Sequence, residues 1–399
     1  MAFFSFDHVK ITGLSVVVPP KEINIYDEAQ YYENNTKKID RMRKKVGFFK
    51  RRIVDVDVTA GDLALAAGKK LLSSMNVDVN SIDGLIYVVQ NNDYLGPMDA
   101  YILHHKLGLS ESCIATNIQQ GCVGWLFGMF TSSNFVETGN FKRVLLLTGD
   151  VPSVSTDIED RNQAPLFGDA GTATLLEYSD DIVKSYFDVS TYSDGYDKII
   201  VPGFGKKLRA EPRNSSVDPF NAPLFKKYET DKGFGCYLDQ GILDGDAVFE
   251  FTMNKAPRDI KSLVEKANGS FNPEDFSLCC LHQANKQIVQ TIGTLLGFPM
   301  DKVPTKAFEY FGNNTMCSIP TVLASNGAHE ENDDLVGSGA KFDEKPYLCS
   351  AFGNGLATTS AILNLKDTVN CGISIFEKPS DWMNREQTFE FWINKIQGK

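Results

Sequence analysis

No run of apolar residues in this 399-residue chain approaches the roughly 18 to 20 that a membrane-spanning helix requires, so no membrane span is expected. The amino terminus, Met1-Ala2-Phe3-Phe4-Ser5-Phe6-Asp7, lacks the basic start and long apolar core of a secretory signal, and a cytoplasmic location is expected. Cys-x-x-Cys pairs are missing as well. The eight cysteines are scattered at positions 113, 122, 236, 279, 280, 317, 349 and 371, a spacing that offers no zinc site or redox switch. Most of them are expected to act as small buried hydrophobes. Only five histidines occur, and His104 and His105 are adjacent rather than four apart. They make a poor metal pair and are expected on a helix ahead of Cys122. Positive charge is scarce too: a net charge of -11 excludes a general nucleic-acid binder, which needs a basic footprint.

What is present describes a globular α/β protein. With 42% apolar and 23% charged residues, the chain can bury a large core, as two domains or as one oversized unit. Strand-like apolar runs alternate with helical segments, the pattern of buried sheets covered by helices. Leu85–Val89 and Val144–Leu147 read as buried strands, and Gly61–Met75 reads as a helix with Leu63, Leu65, Ala66 and Leu71 in helical spacing. Cys122–Val136 is apolar almost all round, so a helix there must be buried on every side. Phe276–Leu281 predicts a further strand, followed by a helix carrying Ile288, Val289, Ile292, Leu295 and Leu296 and closed by Gly297 and Pro299. Each half contains a glycine turn expected to join paired strands, Phe167–Gly171 and Phe352–Gly355, a hint of internal duplication. The segment 202–235, with four prolines, predicts a long functional loop. The tail predicts an amphipathic helix with Phe389, Trp392, Ile393 and Ile396 on one stripe, packing on its own subunit or on a partner.

Three residues stand where chemistry could occur. Cys122 lies at the junction of a loop and the buried helix, where a helix amino terminus lowers a thiol pKa and suits the sulfur to thioester formation. His282 follows a strand end, the place where open α/β sheets put their sites. Asn313 sits in a glycine turn ahead of Ser318-Ile319-Pro320, which reads as a helix start. Taken singly, a cysteine beside glycine, a lone histidine and an asparagine after glycine each have a structural explanation. One further segment opposes the acidic average: Lys37, Lys38, Arg41, Arg43, Lys44, Lys45, Lys50, Arg51 and Arg52 face a single acid, Asp40. A charge run of this kind is ordinarily a solvated face.

Gln119-Gln120-Gly121-Cys122-Val123-Gly124-Trp125, His282-Gln283-Ala284-Asn285, Gly312-Asn313-Asn314-Thr315-Met316-Cys317-Ser318-Ile319-Pro320 and Ala351-Phe352-Gly353-Asn354-Gly355 share an order and approximate spacing. In both, the chain resembles the ketoacyl-acyl carrier protein synthase III family of the thiolase superfamily. Phe167-Gly168-Asp169-Ala170-Gly171 is similar to that family's Phe-Gly-Asp-Gly-Ala turn, Lys50-Arg51-Arg52-Ile53 resembles the end of its first substrate-binding region, and the similarity runs from about residue 8 to residue 365.

The resemblance implies a thiolase-like five-layered αβαβα fold of two pseudo-duplicated halves, 1–185 and 186–366, with an insertion at 202–235, an extension at 367–399, and a homodimer. It implies that Cys122 takes an acyl group from coenzyme A or an acyl carrier protein. His282 and Asn313 then hydrogen-bond a malonyl-type thioester as it loses carbon dioxide, and the carbanion equivalent attacks acyl-Cys122. The backbone N-H groups of Cys122 and Asn354 are expected to hold the tetrahedral oxyanion. Arg41, Lys45, Arg51 and Arg161 are expected on the coenzyme A or carrier-protein face, where positive charge steers phosphates and acidic partners. No metal or redox cofactor is called for.

The chain also departs from the family. Arg41 and Lys45 stand where tryptophan and arginine are usual, and Asn354 replaces a glycine, which leaves open whether free coenzyme A or a carrier-bound thioester is the donor. These changes and the added segments point to a specialised pathway, such as a polyketide, an alkylquinolone-like metabolite or a modified surface sugar. Other readings compete with decarboxylative condensation. One is an acyltransferase that passes the acyl group from Cys122 to a hydroxyl or amine with His282 as general base. Another is a non-decarboxylating condensation resembling hydroxymethylglutaryl-CoA synthase, and a third is a non-catalytic subunit that binds a carrier protein.

Overall fold

Strands that are apolar at every position must be covered on both faces, and this chain supplies two such sheets with helices between and outside them. The computed structural model describes residues 2–161, 163–203, 226–229, 235–325, 335–337 and 339–398. Eleven strands build the sheets: β1 (Ala2–Phe6), β2 (Val9–Val18), β3 (Gly84–Val89), β4 (Ile114–Gln119), β5 (Arg143–Asp150), β6 (Ala170–Tyr178), β7 (Ser185–Thr191), β8 (Cys279–Leu281), β9 (Tyr347–Gly353), β10 (Ala357–Leu363) and β11 (Val369–Ile375). The first sheet runs β11-β2-β6-β5-β3-β4 and the second β1-β7-β10-β9-β8. Among the described residues nine α-helices accompany them: α1 (Thr36–Val46), α2 (Ala60–Ser74), α3 (Asp99–Leu107), α4 (Gly124–Val136), α5 (Gly245–Asn268), α6 (Lys286–Leu295), α7 (Lys306–Phe311), α8 (Ser318–Ala324) and α9 (Arg385–Ile396).

The order of layers follows from which side chains each strand turns which way. On β3, Ile86 and Val88 face a core shared with Trp125, Leu126 and Met129 of α4, Ile319 and Val322 of α8, and Cys349 and Ala351 of β9. Leu85, Tyr87 and Val89 face the opposite side, against Leu63, Ala67 and Leu71 of α2 and Leu103 of α3. The second sheet repeats this, with Leu281, Leu348 and Phe352 against Ile260 and Leu263 of α5 and Val289 and Ile292 of α6. The result is the five-layered αβαβα arrangement that the resemblance implies. Helix α4 has no polar face to spare, and even its Trp125 indole is satisfied internally, donating to Thr174 Oγ1 at 3.0 Å.

Several elements differ from expectation. The strand expected over Phe276–Leu281 is confined to Cys279–Leu281, because Pro273–Asp275 forms a short 3-10 turn that leads into it. Phe352–Gly355 does join a paired hairpin, β9 to β10. Phe167–Gly171 does not: β5 and β6 pair, but the chain between them takes the long path from Val151 to Asp169. The segment set apart as an extension begins as a sheet strand, β11 lying parallel to β2. Likewise β1 leaves the first half to pair with β7 of the second sheet. Each half thus lends a terminal strand to the other, which locks them together. His104 and His105 lie on α3, as expected. Most of the 202–235 loop lies outside the described residues.

Leu146 has no exposed surface and packs between the sheets. Leu146→Ala is expected to lower the unfolding free energy by about 2 to 5 kcal/mol, the ordinary cost of such a cavity, read from denaturant unfolding. A loss under about 1 kcal/mol would mean that the middle layer can collapse onto the space.

Candidate active site

The site forms where α4 and the turn before α8 begin, in the middle layer. Cys122 precedes α4 by two residues. It touches β9's end, where Gly353 has a φ of +149° and where a Cβ would lie 2.7 Å from Cys122 Sγ, so no other residue fits there. Gly124 is equally constrained from the other side, since a Cβ on it would meet Met316 Cβ at 3.1 Å. Backbone N-H groups of Asn354 and of Cys122 itself donate to the sulfur, yet burial outweighs them and pushes the thiol pKa up to about 11, with the Asp150 carboxylate adding to the rise. The expectation of a lowered thiol pKa is therefore corrected: loss of solvation exceeds what the helix terminus returns.

His282 leaves the end of β8 and is buried. Its ring meets Phe352 edge-on at 5.5 Å between centroids, and Phe352 immediately precedes the Gly353 that touches Cys122. Nδ1 lies 2.8 Å from Ser318 Oγ, and Ser318 Oγ also accepts the Gln283 N-H at 3.3 Å. Burial pushes the imidazole pKa down to about 4, with a hydrogen bond to the Thr315 carbonyl working the other way, so the ring is neutral at physiological pH.

Asn313 is held by two backbone bonds to the Phe167 turn: its N-H donates to Leu166 O at 2.8 Å and its carbonyl accepts from Gly168 N at 3.3 Å. That approach needs Gly168, since a Cβ there would lie 1.9 Å from Phe311 O. Asn313 Oδ1 accepts the Thr315 N-H at 2.9 Å, and among the described residues no acceptor meets its Nδ2. Beneath lie two carboxyls that sequence reasoning did not single out as functional. Asp150 accepts the Thr315 hydroxyl at 2.6 Å, and Asp169 accepts the N-H groups of Val54 and Ser153 and the Ser153 hydroxyl. Burial raises them to about 6 and about 7, respectively. Nothing in the sequence marks the Asp150–Thr315 contact, which spans 165 positions.

The basic residues divide into two groups. Arg41 and Lys45 are exposed one turn apart on α1 and have no ion pair among the described residues. Arg51 is buried, with both terminal nitrogens on Glu28. Arg161 donates to the same Glu28 at 2.8 Å and to Tyr32 Oη at 3.0 Å, and its guanidinium stacks 4.8 Å from the Tyr31 ring centroid. The structure thus sets Cys122 against Gly353 and Asn354, links His282 and Asn313 through Thr315, and joins Arg51 to Arg161 through a carboxylate. Arg41 and Lys45 stay on the surface.

Two expectations test this electrostatic picture. Thiolate content, and with it the alkylation rate of Cys122, rises about tenfold per pH unit while the pH is below the pKa. Iodoacetamide labelling should therefore keep climbing from pH 7 to about pH 10; a plateau by about pH 9 would mean an ordinary or lowered pKa. Glu28→Gln leaves the buried Arg51 and the partly buried Arg161 without their counter-charge and should reduce unfolding free energy by about 3 to 5 kcal/mol in chemical denaturation, against under about 1 kcal/mol for a surface pair.

Comparison with known proteins gives the family. The family described as 3-oxoacyl-[acyl-carrier-protein (ACP)] synthase III matches residues 116–195, and its C-terminal counterpart matches residues 266–365. A protein of Campylobacter jejuni subsp. jejuni, provisionally named 3-oxoacyl-[acyl-carrier-protein] synthase 3, is 32% identical over 374 residues, covering 94% of this chain and 98% of its own. A beta-ketoacyl-[acyl-carrier-protein] synthase III of Koribacter versatilis is 29% identical, covering 90% of this chain and 98% of its own. The crystal structure of a 3-oxoacyl-(acyl-carrier protein) synthase from Burkholderia xenovorans superposes with a TM-score of 0.80 at 28% identity, covering 94% of this chain and 99% of that one. The chain belongs to the 3-oxoacyl-[acyl-carrier-protein] synthase III family and is a condensing enzyme of that type.

Proposed function

We propose that the protein transfers an acyl group from a thioester to Cys122 and condenses it with a malonyl-type thioester, with loss of carbon dioxide, in a specialised biosynthetic pathway. The observation that carries this reading is the strand end at Phe352–Gly353, where Gly353 touches a thiol that takes two backbone N-H groups and Phe352 meets a neutral buried imidazole, with Thr315 bonded both to that imidazole and to an asparagine amide that has a donor to spare.

Each group then has a task. A thiol with a pKa of about 11 needs its proton removed as the acyl group arrives. Neutral His282, beside it, relays that proton to the departing thiol. The N-H groups of Cys122 and Asn354 already point at the sulfur, so they lie next to the carbon that becomes tetrahedral and form the oxyanion hole. In the second half-reaction negative charge grows on the carbonyl oxygen of the malonyl thioester as its carboxylate leaves. Asn313 Nδ2 donates to that oxygen, the single N-H of neutral His282 is shared between it and the Thr315 carbonyl, and the enolate attacks acyl-Cys122.

Arg41, Lys45 and Arg161 receive the phosphates of coenzyme A or the acidic face of a carrier protein, with exposure and unspent charge on α1 supporting the first two. Arg51 serves that face indirectly, by fixing the carboxylate that orients Arg161. A second copy of the chain pairs along β4, which ends its sheet and carries the exposed Ile114. The replacements at Arg41, Lys45 and Asn354 support a specialised substrate.

Intact-protein mass spectrometry with acetyl-, 3-hydroxybutyryl- and longer acyl-CoA should show an adduct on the wild type and none on Cys122→Ala. A chase with malonyl thioesters should discharge the adduct with release of carbon dioxide, and His282→Ala or Asn313→Ala should slow that release on the order of 100-fold or more. Discharge by alcohols or amines alone would make the protein an acyltransferase. Absence of an adduct from every donor would leave a carrier-binding subunit.

A further inference from the structure

We infer that Thr315 is the positioning residue of this site, and that its hydrogen bond to Asp150 is the latch that keeps it in place; the inference rests on the condensing function proposed above. Thr315 has a φ of +48°, in the left-handed region, where a β-branched residue is an outlier that its surroundings must enforce. That conformation aims both of its backbone polar groups at the two residues that follow the chemistry. The N-H donates to Asn313 Oδ1 at 2.9 Å, which occupies the oxygen of the amide and leaves Nδ2 to face a substrate. Its carbonyl accepts from the His282 ring. The side chain supplies the restraint: Oγ1 donates to Asp150 Oδ2 at 2.6 Å, and both residues are buried, so the bond has no water to compete with it.

Asp150 is anchored in turn. It ends β5 in the first sheet, and its Oδ1 accepts the Val151 N-H at 3.0 Å. The latch therefore ties the turn that carries Asn313 to the sheet that carries the Cys122 helix. Without the hydroxyl, a threonine-shaped side chain should relax toward negative φ, rotating both backbone groups away from Asn313 and His282. Glycine, by contrast, takes positive φ at no cost and needs no latch.

This difference gives the test. Carbon dioxide release from a malonyl thioester is measured at saturating and limiting substrate for the wild type, Thr315→Val, Thr315→Ser and Thr315→Gly, with the final extent of Cys122 acylation and the thermal midpoint recorded for each. The expected result is a loss in kcat on the order of 100-fold for Thr315→Val, recovery to within about threefold for Thr315→Ser, and a Thr315→Gly rate at least about tenfold above that of Thr315→Val although glycine is the less stable variant. Combining Thr315→Val with Asp150→Ala should cost no more than Thr315→Val alone, since one latch cannot be lost twice.

A merely structural role would make rate follow thermal midpoint and place glycine below valine; that order, or a Thr315→Val enzyme within about threefold of wild type, overturns the inference while leaving the function intact. If Thr315→Val does not fold, a Thr315→Gly rate more than about 30-fold below wild type overturns it instead. A wild-type enzyme that acylates Cys122 yet releases no carbon dioxide overturns the condensing function, and this inference with it.

Discussion

Helices α4 and α8 have almost nothing polar to show water, and so each must be covered on every side. The only place that offers such cover is the layer between two sheets. Placing both helices there brings their amino-terminal ends face to face, with Gly124 of one against Met316 ahead of the other. Cys122 and the Asn313–Ser318 turn meet as a consequence of that packing. The ends of strands β5, β8 and β9 then carry Asp150, His282 and Gly353 to the helix starts, because both sheets border the middle layer.

Burial at that point has an electrostatic consequence. A thiol moved from 9 to about 11 has lost on the order of 3 kcal/mol of thiolate stability, whereas a helix terminus in a favourable, partly buried place returns at most about 2 kcal/mol. Two N-H groups aimed at the sulfur are not enough to reverse the sign while the site is empty of an acyl group. The same dryness keeps His282 neutral and lifts Asp150 toward 6. The resting thiol and imidazole thus carry little charge, and the donors around them act on charge that appears only during reaction, which is where such donors are most effective.

Much of this was legible in the sequence, for identifiable reasons. The doubly buried strands β3 and β5 and the all-round apolar α4 announce themselves by composition, and Cys122, His282 and Asn313 each sit in a motif that the family shares. Gly353 belongs to such a motif too, and its conformation explains why. The parts that were not legible depend on distance along the chain. Asp150 and Thr315 are ordinary residues until the fold joins them across 165 positions. A positive φ at a threonine has no sequence signature, because threonine is the residue one would not choose for it. The strand β11 lay beyond the matched motifs, and only its pairing with β2 reveals it as part of the sheet.

The basic segment shows how one run of like charge can carry two physical roles. Its first part folds as α1, which gathers Arg43, Lys44 and Lys45 in the last turn, where the helix dipole favours cations, and leaves Arg41 and Lys45 hydrated and unspent. Its second part forms a strand in which the buried Arg51 has lost hydration and takes Glu28, while the half-buried Lys50 and Arg52 share the exposed Glu22. Glu28 still has an oxygen to share, and Arg161 arrives from a different part of the chain to use it. Burial is the variable that decides between the roles. Charges that remain in water keep their reach toward other ions, while a charge taken out of water, Arg51, becomes part of the framework that holds Glu28 and Arg161 in place.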